Sequence, residues 1–348
     1  MGYTITPINP SADSRWDSFV LKHPMGSVYH RSSWINLVAS TFPYRPNCYA
    51  LIEKDTGSLK GVLPLMVHRG LFKKSELVAV PYATYCEPLV PSEMMDECLE
   101  YVLRSMSEFS SIELRLRCDP AELPVSLQQD CSYINHTVDL SGGIDTVYSK
   151  FHNSCVKRKI TKAQKSNISF HISSCEKEIK SIYELLLLMR KTKGLPPHPY
   201  KFFVNLWNTF EPLKMFYAPY VSYKNKIICA AIILKYKDTI YYEYAASDPA
   251  YQNLGSNQYL IWEIIKFGIA KGAKKLDLGR SHPGNDSLIQ FKDRWGGKKT
   301  VLSYCYYPKY AQKKAINSAL VTWGEALNRR LPVPVLRLEG EFIYRFLM

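Results

Sequence analysis

The sequence lacks the paired cysteines of a disulfide framework or a zinc site. None of its nine cysteines belongs to a C-x-x-C pair, and the total is odd. Scattered single cysteines are typical of a reducing compartment, where thiols stay free. The sequence also has no H-E-x-x-H, G-x-S-x-G or Walker loop, which are the spacings of zinc proteases, serine hydrolases and P-loop nucleotide hydrolases. We therefore expect neither a metal site nor a covalent nucleophile.

Signal peptides and membrane-spanning segments are missing as well. Residues 1–16 are polar, and no apolar run reaches the length of a spanning helix. These absences predict a cytoplasmic protein.

Acidic residues are in deficit, because the sequence has 45 Lys and Arg but only 31 Asp and Glu, which leaves a formal charge of +14. Such a balance attracts nucleic acid, anionic lipid or phosphorylated substrates.

The length of 348 residues favours about two domains. The turn at Ser141-Gly142-Gly143 separates two halves, and each half has helices, three strands, a helix, a strand and a final strand. This order predicts an α/β fold with similar halves at 1–142 and 143–310, followed by a C-terminal helix and tail at 311–348. The apolar pattern also predicts one long helix over 146–165 and a buried helix over 256–270.

A candidate phosphate site lies at the start of that buried helix. The segment Gln252-Asn253-Leu254-Gly255-Ser256-Asn257 follows a predicted strand. A glycine at a strand-to-helix turn exposes backbone N–H groups beside the positive helix end, which suits a phosphate. The alternative is an ordinary helix start capped by the side chain of Ser256. The spacing leaves both interpretations open.

A second candidate site combines a short strand, a polar loop and a helix. The strand Leu276-Asp277-Leu278-Gly279-Arg280-Ser281 leads through His282 to a helix in which Leu288, Phe291 and Trp295 share one face. Lys292 borders this face, where its ammonium could bind an anion or an oxyanion over a semi-buried cleft. The alternative is that Lys292 extends to solvent and that Arg280 pairs with Asp277 or Asp286.

The strand Tyr241-Tyr242-Glu243-Tyr244 is a third candidate. Alternation along a strand predicts Tyr242 and Tyr244 on one face and Glu243 on the other. Glu243 could accept a proton there, and the alternative is a surface glutamate.

A basic stretch precedes these segments, at Lys157, Arg158, Lys159, Lys162 and Lys165. Helical spacing places Arg158, Lys162 and Lys165 on one face, which could meet tRNA or lipid phosphates. The alternative is a solvated helix face.

These motifs resemble those of the FemAB-like branch of the GNAT superfamily. The segment from Gln252 to Asn257 resembles the Q/R-x-x-G-x-G/A loop with which GNAT enzymes hold the CoA pyrophosphate. Asn257 departs from that loop, as fits the FemAB-like branch, whose best-known members use aminoacyl-tRNA. The segment from Asp277 to Gly296 resembles the "D-x-G-R-S, loop, F-K-x-x-W-G" signature of FemAB-related proteins of envelope and exopolysaccharide gene sets.

The resemblance also implies roles for individual residues. Phe291 and Lys292 correspond to an F-K pair at the donor site, where the lysine helps the transfer step with Arg280 as a companion cation. Glu243 lies on the strand beside the acceptor amine, as a candidate catalytic residue. The implied donor-loop contacts are Gln252, Gly255, Ser256 and Asn257, and the implied substrate contacts are Tyr242, Tyr244, His282, Trp34 and Tyr85.

For the whole chain, the resemblance implies two tandem GNAT-like domains of α/β (α+β) class with mixed sheets, and a tail that packs back on the first domain. We expect a transferase that moves an amino acid from aminoacyl-tRNA to an amine of a cell-envelope precursor, such as a lipid-linked saccharide or peptide. No cofactor is expected to be tightly bound, and the protein can lie peripherally at the inner membrane face. The alternatives are an acyl-CoA-dependent N-acyltransferase of an amino sugar or polysaccharide precursor, and an inactive binding module for RNA or anionic membrane.

Overall fold

The computed structural model describes residues 2–68, 76–106, 108–109, 111–173, 175–308 and 318–344. Its helices are α1 (Ser14–Lys22), α2 (Ser32–Thr41), α3 (Met95–Ser105), α4 (Gly143–Ser149), α5 (Arg158–Gln164), α6 (Glu176–Lys193), α7 (Tyr200–Phe210), α8 (Ser256–Ala270), α9 (Asp286–Asp293), α10 (Ser318–Arg330) and α11 (Val333–Ile343). Its strands are β1 (Tyr3–Ile8), β2 (Tyr44–Pro46), β3 (Cys48–Glu53), β4 (Leu59–Leu63), β5 (Leu65–His68), β6 (Glu76–Ala79), β7 (Ile112–Leu116), β8 (Gln128–Asp139), β9 (Ser169–Ile172), β10 (Phe216–Tyr217), β11 (Pro219–Tyr223), β12 (Lys226–Tyr236), β13 (Thr239–Ser247), β14 (Lys275–Ser281) and β15 (Lys298–Tyr307).

The chain forms two compact units. Within the described residues, unit 1 contains residues 2–134 and 300–308, and unit 2 contains residues 135–299 and 318–344. The divisions therefore lie near 134 and 299, whereas the sequence pattern placed them at 142 and 310. The reason is that β8 and β15 each cross a division, so that the turn at Ser141-Gly142-Gly143 falls inside unit 2.

Unit 1 contains two groups of paired strands. One has the order β1-β3-β4 and is antiparallel, and the other includes β2-β5-β6-β7-β15, in which β6 and β7 are parallel. The sequence predicted one strand over Leu59 to Val67. The structure divides it at Pro64, which has no N–H for a ladder, and assigns β4 and β5 to different groups.

Unit 2 has the strand order β14-β13-β12-β11-β9, with β10 paired to β12. Neighbours are antiparallel except for β13 and β14, which are parallel and connected through α8. Apolar side chains of this sheet, α5 and α8 form one buried cluster that includes Leu260, Ile264 and Trp295. The predicted buried helix over 256–270 is confirmed as α8.

The predicted long helix over 146–165 is interrupted. α4 ends at Ser149, a π-helical turn follows at Asn153–Lys157, and α5 starts at Arg158. The ring nitrogen Nδ1 of His152 accepts the backbone N–H of Cys155 at 3.3 Å, and the carbonyl of His152 accepts two further N–H groups. This local capping restarts the helix and sets the direction of the basic residues on α5.

The described part of the tail belongs to unit 2, where α10 and α11 both contact α6. Packing of the tail on the first domain was the expectation. The predicted helix from Ala311 to Arg330 is seen from Ser318 onward, and its start lies outside the described residues. None of the described helices is long and apolar enough to cross a membrane.

Candidate functional site

The two parallel strands of unit 2 diverge toward their carboxyl ends. Thr239, Ile240 and Tyr241 of β13 pair with Lys275, Leu276 and Asp277 of β14, and within the described residues 239–281 this ladder ends there. From Tyr242 onward, the ladder pairs no described residue of β13 with β14. An opening between parallel strands at their carboxyl ends is a usual place for a ligand in α/β proteins.

A β-bulge at Glu243 reverses the predicted faces of β13. On β12, Ile233 pairs with Tyr242 and Ile232 pairs with Tyr244, so Glu243 is an extra residue in the ladder. Tyr242 packs against the buried cluster of α8, whereas Tyr244 contacts the ring of Phe203 on α7 at 5.2 Å. The prediction that Tyr242 and Tyr244 share a face is wrong, because one inserted residue shifts the alternation by one position.

The bulge directs Glu243 and Tyr244 into a pocket, which we call the α6–β13 pocket. Its volume is about 250 Å³, and its lining residues are Tyr183, Leu186, Leu187, Met189, Arg190, Pro197, His198, Phe203, Glu243, Tyr244 and Ala245. Burial lowers the pKa of His198 well below 6.5, and the charge of Arg190 adds to this effect. Burial also raises the pKa of Tyr244, helped by the charge of Glu243. His198 is therefore neutral, and Tyr244 retains its proton, at physiological pH.

Sequence reasoning missed Arg190 and His198, although both line this pocket. They come from the end of α6 and from the loop that follows it, and neither position belongs to a recognisable motif. Only the packing of that loop over β13 brings them beside Glu243. The presence of a histidine between prolines, in Leu195-Pro196-Pro197-His198-Pro199, was the available signal.

Lys292 on α9 is buried, with 6% of its surface exposed. Its Nζ donates to the carbonyl of Gly279 at 2.7 Å and to the carbonyl of Arg280 at 3.0 Å. Burial lowers the pKa of Lys292 to about 8, and the carboxylate of Asp277 offsets part of that effect. The alternative that Lys292 extends to solvent is wrong, because the ammonium is buried and fixes the turn at the end of β14. Binding of an anion or oxyanion by this ammonium stays a prediction.

The companions of Lys292 lie around this turn. Arg280 is exposed, and His282 is exposed in the following loop, where its Nδ1 accepts the backbone N–H of Gly284 at 3.1 Å. Phe291 is half-buried against the core of unit 2, with its ring 6.4 Å from that of Trp295. The roles proposed for these three side chains at a donor site stay predictions.

The candidate phosphate loop lies at the same end of the sheet as the opening, because it connects β13 to α8. Gly255 precedes α8 with φ of 74°, and a Cβ at this position would lie 2.5 Å from the carbonyl oxygen of Lys159. Only glycine fits there. Ser256 is the first helical residue rather than the cap, and its hydroxyl is buried without a hydrogen-bond partner among the described residues. Gln252 is exposed in the preceding 3₁₀ turn.

Asn257 is turned into the protein at the start of α8. Its side-chain oxygen accepts the Sγ–H of Cys229 at 2.9 Å, and its Nδ2 donates to the hydroxyl of Ser247 at 3.1 Å. These bonds connect α8 to the ends of β12 and β13. A donor contact through this side chain stays a prediction, and the contacts seen here are structural.

The basic residues of α5 form a shallow groove beside this loop, which we call the α5 groove. Its lining residues are Asn153, Lys157, Arg158, Thr161, Lys162 and Lys165. Lys157 is held by the carbonyl of Ser149 at 3.1 Å, whereas Arg158, Lys162 and Lys165 are exposed and have no acidic partner among the described residues. The groove therefore offers three exposed cations on or directly after the helix whose Lys159 backbone lies against Gly255.

Trp34 and Tyr85 belong to unit 1, and the structure buries both. Trp34 is 0% exposed and Tyr85 is 3% exposed, and their rings pack against Tyr29 at 5.0 and 5.4 Å. Neither ring is accessible to a ligand in this structure, because large aromatic side chains fill the core of unit 1. Among the described residues, no group of three or more His, Cys, Asp or Glu side chains could hold a metal ion.

Comparisons with known proteins find a family match within the second half of the chain. Residues 150–293 match the family described as "Acetyltransferase (GNAT) domain". This match covers β13, α8, β14 and all of α9, and with it the opening, the candidate phosphate loop and Lys292. No curated protein sequence matches the chain.

Solved structures extend the likeness to most of the chain. A crystal structure of FemX is 13% identical with a TM-score of 0.68, and the alignment covers 92% of this chain and 100% of that one. A tandem GNAT protein from the clavulanic acid biosynthesis pathway is 8% identical with a TM-score of 0.54 and coverages of 90% and 100%. The C-terminal domain of a putative lysylphosphatidylglycerol synthetase from Agrobacterium fabrum is 12% identical with a TM-score of 0.56 and coverages of 92% and 96%. At these identities the likeness shows the fold.

Proposed function

We propose that this chain, an acyltransferase with a tandem GNAT fold, moves an amino acid from aminoacyl-tRNA to an amine of a cell-envelope precursor. The observation that carries the proposal is the opening between β13 and β14, with Glu243 on one strand and the turn fixed by Lys292 on the other. FemX and a putative lysylphosphatidylglycerol synthetase share the fold, which is consistent with transfer of this kind.

The proposed reaction needs positioning more than covalent catalysis, since an aminoacyl ester is already activated. The acceptor nitrogen attacks the ester carbonyl carbon, a C–N bond forms, and the C–O bond to the tRNA ribose breaks. The nitrogen gives its proton to Glu243, and Glu243 then gives a proton to the released ribose oxygen and returns to the carboxylate. Lys292 uses two of its three N–H donors on carbonyls, so the third is available to the carbonyl oxygen as negative charge develops.

The α5 groove supports aminoacyl-tRNA as the donor. Three exposed cations without acidic partners lie beside the loop that opens α8, where a phosphate backbone would release counterions on binding. Acyl-CoA is the competing donor, and the specific observation in its favour is the glycine at the positive end of α8. Thermal shift with acetyl-CoA and long-chain acyl-CoA separates the two donors, because stabilisation at micromolar CoA would reject the tRNA preference.

We expect the variant with Arg158→Gln, Lys162→Gln and Lys165→Gln to bind charged tRNA less tightly and with a weaker salt dependence. Loss of three phosphate contacts makes the negative slope of log K against log salt shallower by about two to three units. Mobility shifts at several salt concentrations measure this slope. The matched control replaces Lys271, Lys274 and Lys275, which are exposed beyond the other end of α8, by Gln. Equal losses in both variants would show that overall charge, and not the groove, binds the tRNA.

We also propose peripheral association with an anionic membrane surface through the tail helices. Trp323 on α10 and Leu338 and Phe342 on α11 are 67%, 68% and 58% exposed, and the net charge of the chain is +14. We expect the variant with Ser at these three positions to lose most of its cosedimentation with phosphatidylglycerol vesicles. The control is Ser at the exposed Val125 and Leu213. Equal binding to neutral phosphatidylcholine vesicles would mean that the positive charge of the chain does not contribute to membrane binding.

A further inference from the structure

Arg190 is a half-buried cation without a carboxylate partner. Its Nε and Nη2 donate to the carbonyl of Pro196 at 3.0 and 2.7 Å, and Nη2 also donates to the hydroxyl of Tyr344 at 2.7 Å. Among the described residues, no acceptor contacts Nη1 and no acidic side chain lies within ion-pair distance of the guanidinium. Since half-buried charges are usually paired, the two free N–H groups of Nη1 point to a bound anion.

The α6–β13 pocket includes this cation and one acidic side chain in its lining. Its walls are mostly aromatic and aliphatic, and its polar lining residues are Arg190, His198, Glu243 and the hydroxyls of Tyr183 and Tyr244. Because His198 is neutral, Arg190 is the positive group of this lining and Glu243 is the negative group. A ligand with its anion at Arg190 and its amine at Glu243, the base of the proposed function, carries one group at each end.

We propose that the acceptor is an amino acid or the amino-acid end of a larger molecule, with its carboxylate on Arg190 and its amine at Glu243. The inference rests on the proposed function, because it treats the pocket as the acceptor site, and it names the acceptor's chemical class. The volume of about 250 Å³ lies below the roughly 300 Å³ at which pockets for drug-sized ligands begin, which suits a group of this size. A carboxylate fits better than a phosphate dianion, because one arginine supplies one positive charge and Glu243 repels a second negative charge.

The tail holds Arg190 in position. α11 approaches the loop 194–199 so closely that a Cβ at Gly340 would lie 2.1 Å from the carbonyl oxygen of Pro197. The ring of Tyr344, directly after α11, lies 4.4 Å from that of His198, and its hydroxyl accepts from Arg190. Two anchors on Nε and Nη2 therefore fix the guanidinium plane and leave Nη1 for the ligand. Tyr344 acts as a positioning residue.

The test uses the full chain and ligand binding alone. Isothermal titration compares ω-amino acids from glycine to 6-aminohexanoate, their methyl esters, and O-phosphoethanolamine. We expect the best of the free acids to bind at least about tenfold more tightly than its ester, the factor for one charge-assisted hydrogen bond. Equal binding of acid and ester, or tighter binding of the phosphate compound, would overturn the carboxylate assignment.

Variants locate the anion contact. In Arg190→Gln the preference for acid over ester should vanish, in Arg190→Lys part of it should return, and in Tyr344→Phe it should fall less than in Arg190→Gln. The control is Arg104→Gln, which changes an exposed arginine of α3. An undiminished preference in Arg190→Gln rejects the inference, and the ester comparison on the unmodified chain decides it if that variant fails to fold. If the chain binds the acids but transfers no amino acid to them, this inference stands and the proposed function is rejected.

Discussion

Glu243→Gln is expected to lower the rate of amine acylation at saturating acceptor by about 10²-fold or more, and to weaken acceptor binding only by the loss of one charge pair. The expected loss follows from general-base catalysis, which contributes about 10² to 10⁴ in rate. Glutamine keeps the shape of the side chain and one hydrogen-bond acceptor but cannot take the proton of the attacking amine. Transfer of radiolabel from charged tRNA to 6-aminohexanoate at saturating acceptor measures the rate, and isothermal titration of the same acid measures binding.

The control for this variant is Glu211→Gln, which removes an exposed carboxylate of unit 2 outside the pocket. Both variants change the net charge equally, so a general electrostatic effect would slow both. An unchanged rate in Glu243→Gln would mean that the acceptor or the donor supplies its own base. Weaker binding with an unchanged rate at saturating acceptor would mean that Glu243 holds the ammonium form and takes no part in proton transfer.

Lys292→Met is expected to lower transfer by about 10²-fold or more, comparable with the loss of one oxyanion-stabilising donor. Methionine preserves the length of the buried side chain, but it removes the bonds to the carbonyls of Gly279 and Arg280 and the third N–H. The same radiolabel assay measures the effect, with Lys298→Met on the exposed start of β15 as the control. Unchanged transfer in Lys292→Met would reject this site and favour an inactive binding module.

The pH dependence of stability gives a second test of Lys292 that needs no substrate. Its pKa is lowered to about 8 in the folded chain and returns to about 10.5 on unfolding. Between these values the unfolded chain binds more protons, so this residue makes the free energy of unfolding rise with pH across that window. Below pH 8 both states are protonated, and the cost of burying the ammonium is constant.

The size of this effect follows from the shift of about 2.5 units, which corresponds to about 3 kcal/mol. Denaturant unfolding of the unmodified chain and of Lys292→Met at pH 8 and pH 10 isolates it, because other titrating groups are common to both proteins. The stability of the unmodified chain relative to the variant should rise by about 2 to 3 kcal/mol between these pH values. A constant difference would mean that Lys292 is not desolvated.

Local sequence patterns predicted much of the fold because they report burial directly. The spacing of Leu260, Ile261, Ile264 and Ile265 predicts α8, and the structure buries each of these side chains. The motif around Asp277 and Lys292 grouped Lys292 with Arg280 in one candidate site, and in the structure the Lys292 ammonium donates to the carbonyls of Gly279 and Arg280.

The sequence by itself therefore determined the element order, the GNAT resemblance and the cluster of polar residues at the ends of β13 and β14. The tertiary structure decided which way those residues face. The bulge at Glu243 depends on register with β12, and the contact between Arg190 and Tyr344 joins residues 154 positions apart. Periodicity describes one element at a time, whereas a bulge and a pocket arise from packing between elements, so neither can be read from local spacing.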